Sequence, residues 1–203
     1  MTKALIVVDM QNDFMPGGAL GVEGAFEIVD PILQLMSDYQ HKIATVDWHP
    51  VNHCSFAKTH PGKKVGDTVL VQGKKQHLWP VHCVQNTHGA EFTPGFSKDQ
   101  FERVFHKGTD PSIDSYSAFY DNAHDKSTGL TAYLRQHHIT HVVLVGLAFD
   151  YCVFYSALDG RRDGFEVTVI PSLSRSIDTS IEAQERIRKT LLQHGVIIQS
   201  ALA

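Results

Sequence analysis

Short apolar runs and amphipathic segments alternate along most of the chain. The runs are rich in Val and Ile, and they predict six strands: Ala4–Asp9, Ile43–Asp47, Arg103–His106, His141–Gly146, Glu166–Ile170 and Val196–Gln199. Several of them lack the polar alternation of a half-exposed strand. Continuous apolar runs of this kind are typical of parallel strands that are covered on both faces.

Four segments between these runs have helical spacing: Phe26–Gln40, Thr131–His138, Cys152–Asp163 and Thr179–His194. In the last segment, Thr179 and Glu182 predict a capping box, and Gly195 predicts the C-terminal stop. The alternation of β and α segments predicts an α/β fold. We expect a doubly wound, mainly parallel six-stranded sheet with helices on both faces and right-handed crossovers.

Reactive side chains stand where the predicted strands end. Asp9 ends the first strand, Asp47 and His49 end the second, Lys107 follows the third, and Cys152 follows the fourth. Ligands of open α/β sheets bind outside the carboxyl ends of the strands. The pattern therefore predicts one enzyme site that combines a cysteine nucleophile with a metal ion.

Asp47 and His49 are two residues apart at a strand end, so their side chains point to the same side. A carboxylate and an imidazole placed in this way form half of a metal site. The long connection from residue 48 to 101 could supply His82 and His53 as further ligands. The alternative is a polar rim of hydrogen-bonded histidines, and for His53 the two interpretations stay open.

Cys152 lies where a strand gives way to a predicted helix. A helix N-terminus lowers the pKa of a thiol, and its N–H groups can hold an oxyanion. We therefore expect a lowered pKa at Cys152, although a free cysteine can equally be a small buried hydrophobe. Taken singly, Asp9 could be a turn residue and Lys107 a surface lysine, and Asp13 is expected to be structural.

The bulk composition narrows the classes of protein. The chain has 203 residues, is 42% hydrophobic and carries a net charge of −4 with a pI near 6.3. These values favour one domain spanning residues 1–203 and give no basic footprint for nucleic acid. We expect no membrane partner, because no apolar run reaches spanning length and the N-terminus is typical of a first strand. Three scattered cysteines favour a reducing, cytoplasmic compartment.

Five longer motifs carry a family resemblance, and they occur in the family's order: VVDMQNDFMPGGAL, DWHPVNHCSF, LWPVHCVQNTHGAEF, FHKGTDPSIDSYSAFYD and GLAFDYCV. Together they resemble the nicotinamidase branch of the isochorismatase-like cysteine hydrolases. The resemblance covers nearly the whole chain and implies a single isochorismatase-like hydrolase domain. One position departs from it, since Phe149 stands where many relatives carry Thr or Leu.

The resemblance also implies a role for each matching residue. Asp9, Lys107 and Cys152 match the catalytic triad, and the N–H groups of Ala148 and Cys152 match the oxyanion hole, after a cis Leu147–Ala148 peptide. The remaining matches are to the metal ligands and the pyridine-ring walls, namely Asp47, His49 and His82 for the metal, and Phe14, Trp79 and Tyr116 for the ring.

The implied reaction is metal-dependent hydrolysis of nicotinamide, or of pyrazinamide, to the acid and ammonia through a cysteine thioester, within NAD salvage. One divalent ion is expected, zinc first and iron or manganese as alternatives. Two other functions remain open, namely hydrolysis of an N-carbamoyl amide or isochorismate, and a non-catalytic binding domain. The sequence does not choose between a monomer and a homo-oligomer.

Overall fold

The computed structural model describes residues 2–200. Its strands are β1 (Thr2–Val8), β2 (His41–Asp47), β3 (Thr68–Val71), β4 (Lys74–His77), β5 (Arg103–Lys107), β6 (Ile139–Leu147), β7 (Glu166–Arg175) and β8 (Ile197–Ile198). Its α-helices are α1 (Val29–Met36), α2 (Leu130–Gln136), α3 (Phe154–Arg162) and α4 (Ile181–Gln193). Within the described residues, no helix is long and apolar enough to cross a membrane.

Six strands form the central sheet in the order β5-β2-β1-β6-β7-β8, and every pairing in it is parallel. The alternation of β1 divides the core: Leu5 and Val7 pack on the side of α1, whereas Ala4, Ile6 and Val8 pack on the side of α2, α3 and α4. Helices thus cover both faces, which explains the unbroken apolar runs. The predicted α/β fold is confirmed.

The boundaries of all four helices differ from the predicted ones, and α2 differs only by one residue at its start and two at its end. The first helix opens with a 3₁₀ turn over Ala25–Ile28 and ends at Met36. α3 begins at Phe154, because a π-helical turn occupies Phe149–Val153. The predicted capping box of α4 is wrong. Ser180 is the N-cap: its backbone is extended and its hydroxyl accepts the Ala183 N–H at 3.4 Å, so the helix begins at Ile181.

The predicted stop of α4 is confirmed. Gly195 follows the helix with a φ of +73°, a left-handed conformation that favours glycine.

The connection from residue 48 to 101 contains the antiparallel hairpin β3–β4, which the sequence pattern did not predict. Each strand has only four residues and most of the hairpin is exposed, although β3 itself is the apolar run TVLV. Backbone hydrogen bonds fix the connection beyond the hairpin, from Trp79 N–H to Ser55 O at 2.8 Å and from Ala57 N–H to Trp79 O at 2.9 Å. The connection is therefore ordered, and it brings Trp79 and His82 to the carboxyl ends of the strands.

Candidate active site

Asp9, Lys107 and Cys152 meet in one buried cluster. Asp9 directly follows β1, Lys107 is the last residue of β5, and Cys152 lies in the π-helical turn after β6. Lys107 Nζ is 2.8 Å from Asp9 Oδ2 and 3.3 Å from Cys152 Sγ. The Thr45 hydroxyl donates to Asp9 Oδ1 at 2.7 Å and orients the carboxylate. A carboxylate, an ammonium and a thiol thus converge from three separate strands.

Burial and the neighbouring charges set the protonation of this cluster. Burial raises the pKa of Asp9, and the charge of Lys107 opposes this rise only in part. Burial also raises the pKa of the Cys152 thiol well above its usual range. The lowered pKa expected at Cys152 is therefore wrong. α3 begins only at Phe154, and the buried carboxylates of Asp9 and Asp47 disfavour a resting thiolate.

Lys107 remains charged in spite of its burial. Burial lowers the pKa of this lysine, but the carboxylates of Asp47 and Asp9 outweigh that effect and raise it well above its usual range. Its ammonium contacts Asp47 Oδ1 and lies 3.3 Å from Ser115 O. Asp47 and Lys107 face each other across the parallel β2–β5 pair, so the sheet register itself sets this contact.

Asp47, His49 and His82 form a second cluster next to the first. The Nε2 atoms of His49 and His82 lie 3.6 and 3.9 Å from Asp47 Oδ2. His49 Nδ1 is 2.8 Å from Gly108 O and His82 Nδ1 is 2.8 Å from Pro80 O. Each histidine can donate its Nδ1 proton to a carbonyl, which leaves an Nε2 lone pair directed at the carboxylate. Metal-binding histidines typically donate their other ring N–H to a carbonyl or carboxylate in this way. The three side chains therefore fit a divalent cation.

Protonation of the two imidazoles bears on metal binding. Burial and the neighbouring His49 lower the pKa of His82 to about 4, so His82 is neutral at pH 7. Burial lowers the pKa of His49 as well, but the Asp47 carboxylate overcomes this and raises it. A cation that binds here therefore competes with a proton for His49.

His82 is positioned through the backbone of the residue that follows it. The next residue, Cys83, donates its N–H to Asp13 Oδ2 at 2.7 Å and accepts the His49 N–H at 3.0 Å. Asp13 is thus a structural residue, as expected from the sequence. Gln11 fixes Asp47 in a similar way, since its amide accepts the Asp47 N–H at 2.8 Å and donates to Asp47 O at 2.8 Å.

His53 lies beside the metal-ligand set and not in it. Its ring is 4.2 Å from that of His49, and its Nδ1 is 2.7 Å from Ser55 Oγ. Its Nε2 is 3.3 Å from Ile113 O, so neither nitrogen is directed at Asp47. It shares a looser grouping with His49 and Asp114.

A pocket opens onto both clusters. The predicted ring walls Phe14, Trp79 and Tyr116 all line it, as do Ala148 and Cys152. The sequence reasoning missed four other lining residues, namely Leu20, Asp114, Tyr151 and Ile177.

Three of these four residues lie within the quoted motifs, namely Leu20, Asp114 and Tyr151, and Tyr151 directly precedes the nucleophile candidate. Ile177 comes from a loop with no motif. The Leu147–Ala148 peptide is cis, as the resemblance implied. Phe149 is buried in the core on the side of α2, α3 and α4 and does not line the pocket, so its departure from the family pattern leaves the site unchanged.

Comparisons with known proteins agree with this geometry. The model of the isochorismatase domain family matches residues 3–201. A curated nicotinamidase from Acinetobacter baylyi is 42% identical over 188 residues, which cover 93% of this chain and 88% of that protein. The matches extend over nearly the full length of both proteins.

Solved structures resemble this chain over nearly its full length as well. A nicotinamidase and pyrazinamidase from Acinetobacter baumanii has a TM-score of 0.94 at 42% identity, with 98% of this chain and 96% of that chain covered. The yeast nicotinamidase bound to the inhibitor nicotinaldehyde has a TM-score of 0.92 at 33% identity, with 98% and 100% covered. A pyrazinamidase from Pyrococcus horikoshii in complex with zinc has a TM-score of 0.80 at 34% identity, with 98% and 99% covered.

Proposed function

The chain belongs to the isochorismatase family, within its nicotinamidase branch, and from this premise we propose that it hydrolyses nicotinamide to nicotinate and ammonia. Pyrazinamide, which keeps the ring nitrogen and the carboxamide, is the expected second substrate. One observation carries the proposal: Lys107 Nζ lies within 2.8 Å of Asp9 Oδ2 and 3.3 Å of Cys152 Sγ, at the base of an aromatic-walled pocket. A binding module has no need of this triad.

The reaction begins at the thiol. Asp9 takes the proton of Cys152 as Sγ attacks the carboxamide carbon, and Lys107 stabilises the sulfur while it carries charge. The oxygen of the tetrahedral intermediate accepts hydrogen bonds from the N–H groups of Ala148 and Cys152. Asp9 then gives its proton to the departing ammonia, which leaves a thioester. Water hydrolyses the thioester with Asp9 as base, and Cys152 recovers its proton.

Asp47, His49 and His82 would hold one divalent cation beside the pocket. When bound, this cation supplies a Lewis-acid contact for the ring nitrogen of the substrate. Zinc fits two imidazoles and one carboxylate, and the zinc-bound relative supports this choice, with iron and manganese as alternatives. Phe14, Trp79 and Tyr116 pack against the ring, so the carboxamide is oriented towards Cys152.

We propose a physiological role on the basis of this chemistry: release of nicotinate from nicotinamide would serve the salvage of pyridine nucleotides. We propose a cytoplasmic location, in which the unpaired Cys54, Cys83 and Cys152 would stay reduced.

The proposal is tested by ammonia release from nicotinamide with and without a chelator. We expect turnover that is lost on chelation and regained when Zn²⁺ is added back. Benzamide lacks the ring nitrogen, and we expect its kcat/KM to be lower by about 10²-fold or more, because misplacement of a reacting group costs about that much. Equal values for benzamide and nicotinamide would contradict orientation through the ring nitrogen. Activity on N-carbamoyl amides alone would identify another branch of the family.

A further inference from the structure

Gln76 is the only fully buried residue of the hairpin from Thr68 to His77, with 4% of its surface exposed. The side chains directly before and after it are exposed or half-buried. A buried amide in such a place needs hydrogen-bond partners, because an unpaired polar group is costly to bury.

Those partners belong to the wall of the pocket. Gln76 Nε2 is 2.9 Å from Asp114 Oδ2 and 3.2 Å from the Tyr116 hydroxyl, and it also reaches His77 O at 2.7 Å. Asp114 and Tyr116 both line the pocket. The Tyr116 hydroxyl also accepts a longer contact from Trp79 Nε1 at 3.4 Å, so one oxygen joins Gln76 to two of the ring walls.

The chemistry of these contacts requires a donor at position 76. Asp114 presents a carboxylate oxygen, and burial raises the pKa of the Tyr116 hydroxyl, which therefore stays neutral. An amide NH₂ group supplies two protons to such acceptors, whereas a carboxylate supplies none and would repel Asp114. Resting on the proposed function, we infer that Gln76 is a positioning residue for that reaction. It fixes Tyr116, and through it Trp79, at the spacing that the substrate ring requires.

The expected kinetic effect falls on KM. Tyr116 and Trp79 contact the ring and not the reacting carbon, so they contribute equally to the substrate complex and the transition state. Gln76→Leu should raise KM for nicotinamide about fivefold and change kcat less than twofold, as expected when uniform binding is lost. Gln76→Glu should raise KM further, because it places a carboxylate against Asp114.

Gln72 provides the matched control. It is a glutamine in the turn of the same hairpin, it is exposed, and its Nε2 donates to Ser112 O at 3.2 Å outside the pocket. Gln72→Asn breaks that tether, and asparagine tolerates the positive φ of 49° at this position. This variant should keep the wild-type KM. If it raises KM as much as Gln76→Leu does, then any loosening of the hairpin suffices and the specific role of Gln76 is refuted.

A double-mutant cycle tests whether Gln76 acts through Tyr116. Tyr116→Phe keeps the ring but removes the oxygen that Gln76 contacts. If the role is correct, Gln76→Leu adds less than twofold to the KM of Tyr116→Phe, because the shared hydrogen bond is already lost. Independent effects that multiply would overturn the inference. Thermal unfolding of each variant checks that it is folded.

A spectroscopic measurement separates this inference from the proposed function. In a Trp48→Phe background the emission reports Trp79. Gln76→Leu should shift it to longer wavelength, because Trp79 becomes more mobile and wetter, whereas Gln72→Asn should leave it unchanged. Absence of that shift contradicts the positioning role. Absence of ammonia release by the wild-type protein contradicts the proposed function instead, and the emission test of Gln76 still applies.

Discussion

Lys107 is the cation at the centre of the site, and its surroundings explain why it can be buried. Its side chain is almost inaccessible, yet it contacts Asp9 and Asp47 and lies 3.3 Å from Cys152 Sγ. A buried charge survives only when it is paired and hydrogen-bonded. Burial, with the excess of carboxylate over ammonium as a smaller contribution, explains why Cys152 rests as a thiol and why Asp9 has a raised pKa. A thiolate then forms only together with protonation of Asp9.

Replacing the nucleophile tests this cluster most directly. We expect Cys152→Ala to lower kcat by about 10³-fold or more. Nicotinate should still bind, because the residues that wall the ring and the candidate metal ligands remain in place. Steady-state kinetics and calorimetric binding measure the two effects. Cys54→Ala is the matched control, since Cys54 lies outside the pocket, and it should retain full activity. Near-normal turnover by Cys152→Ala would remove the nucleophile from the mechanism.

The pH profile reports on Asp9. As the base, Asp9 acts only when deprotonated, so kcat/KM falls as the pH falls through its pKa. Burial raises that pKa, so we expect the acid limb of the profile to lie above the usual carboxyl value of about 3.9. Asp9→Asn should lower activity at every pH and remove this limb. An acid limb at or below pH 4 in the wild-type protein would disagree with a buried base.

At the scale of single elements, the start of α4 shows how finely a cap is positioned. Ser180 has an extended backbone and accepts the Ala183 N–H, whereas Thr179, one residue earlier, is exposed and forms no part of the cap. We expect Ser180→Ala to lower the free energy of unfolding by about 1 kcal/mol. Thr179→Ala should change it by less than about 0.5 kcal/mol. Denaturant titration measures both, and equal losses would mean that the cap is shared.

The convergence of side chains at the strand ends could be predicted because it depends on features that the sequence contains. Apolar runs gave the strands, and parallel strands place their carboxyl ends at one edge, so Asp9, Asp47 and Lys107 could be predicted to converge. The order of the strands could not be read in the same way. The pairing of Asp47 with Lys107 across β2–β5 is a long-range contact, and the sequence does not show which strands are neighbours.

Other parts of the site had no local signal. Gln76 is buried in the polar strand β4, and Ile177 reaches the pocket from a loop, so neither belongs to a periodic apolar pattern. The sequence shows that Cys152 lies near a predicted helix start, but it does not show its burial beside two carboxylates. The expected direction of its pKa shift was therefore wrong. Residues that act through packing across the chain are the ones that local reasoning misses.

At the scale of the whole molecule, a cation bound by Asp47, His49 and His82 would join the long connection to the end of β2. Binding to the folded state alone stabilises it by about 2.7 kcal/mol at a hundred times Kd. For a chain of this size, 1 kcal/mol shifts Tm by about 2–4 °C. We therefore expect Zn²⁺ at that excess to raise Tm by about 5–10 °C over the chelated protein, as measured by calorimetry.

The variants for this test are two histidines of the same connection. His82→Ala should abolish the Zn²⁺-dependent rise in Tm, because it removes one of three protein ligands and detaches the connection from the strand end. His88→Ala should retain the rise, since the His88 side chain is exposed and is not among the clustered ligands. An equal rise in wild type and His82→Ala would place the cation elsewhere. The predicted outcome would mean that the bound cation links the segment containing Trp79 to the central sheet. In the proposed function, the same cation orients the substrate.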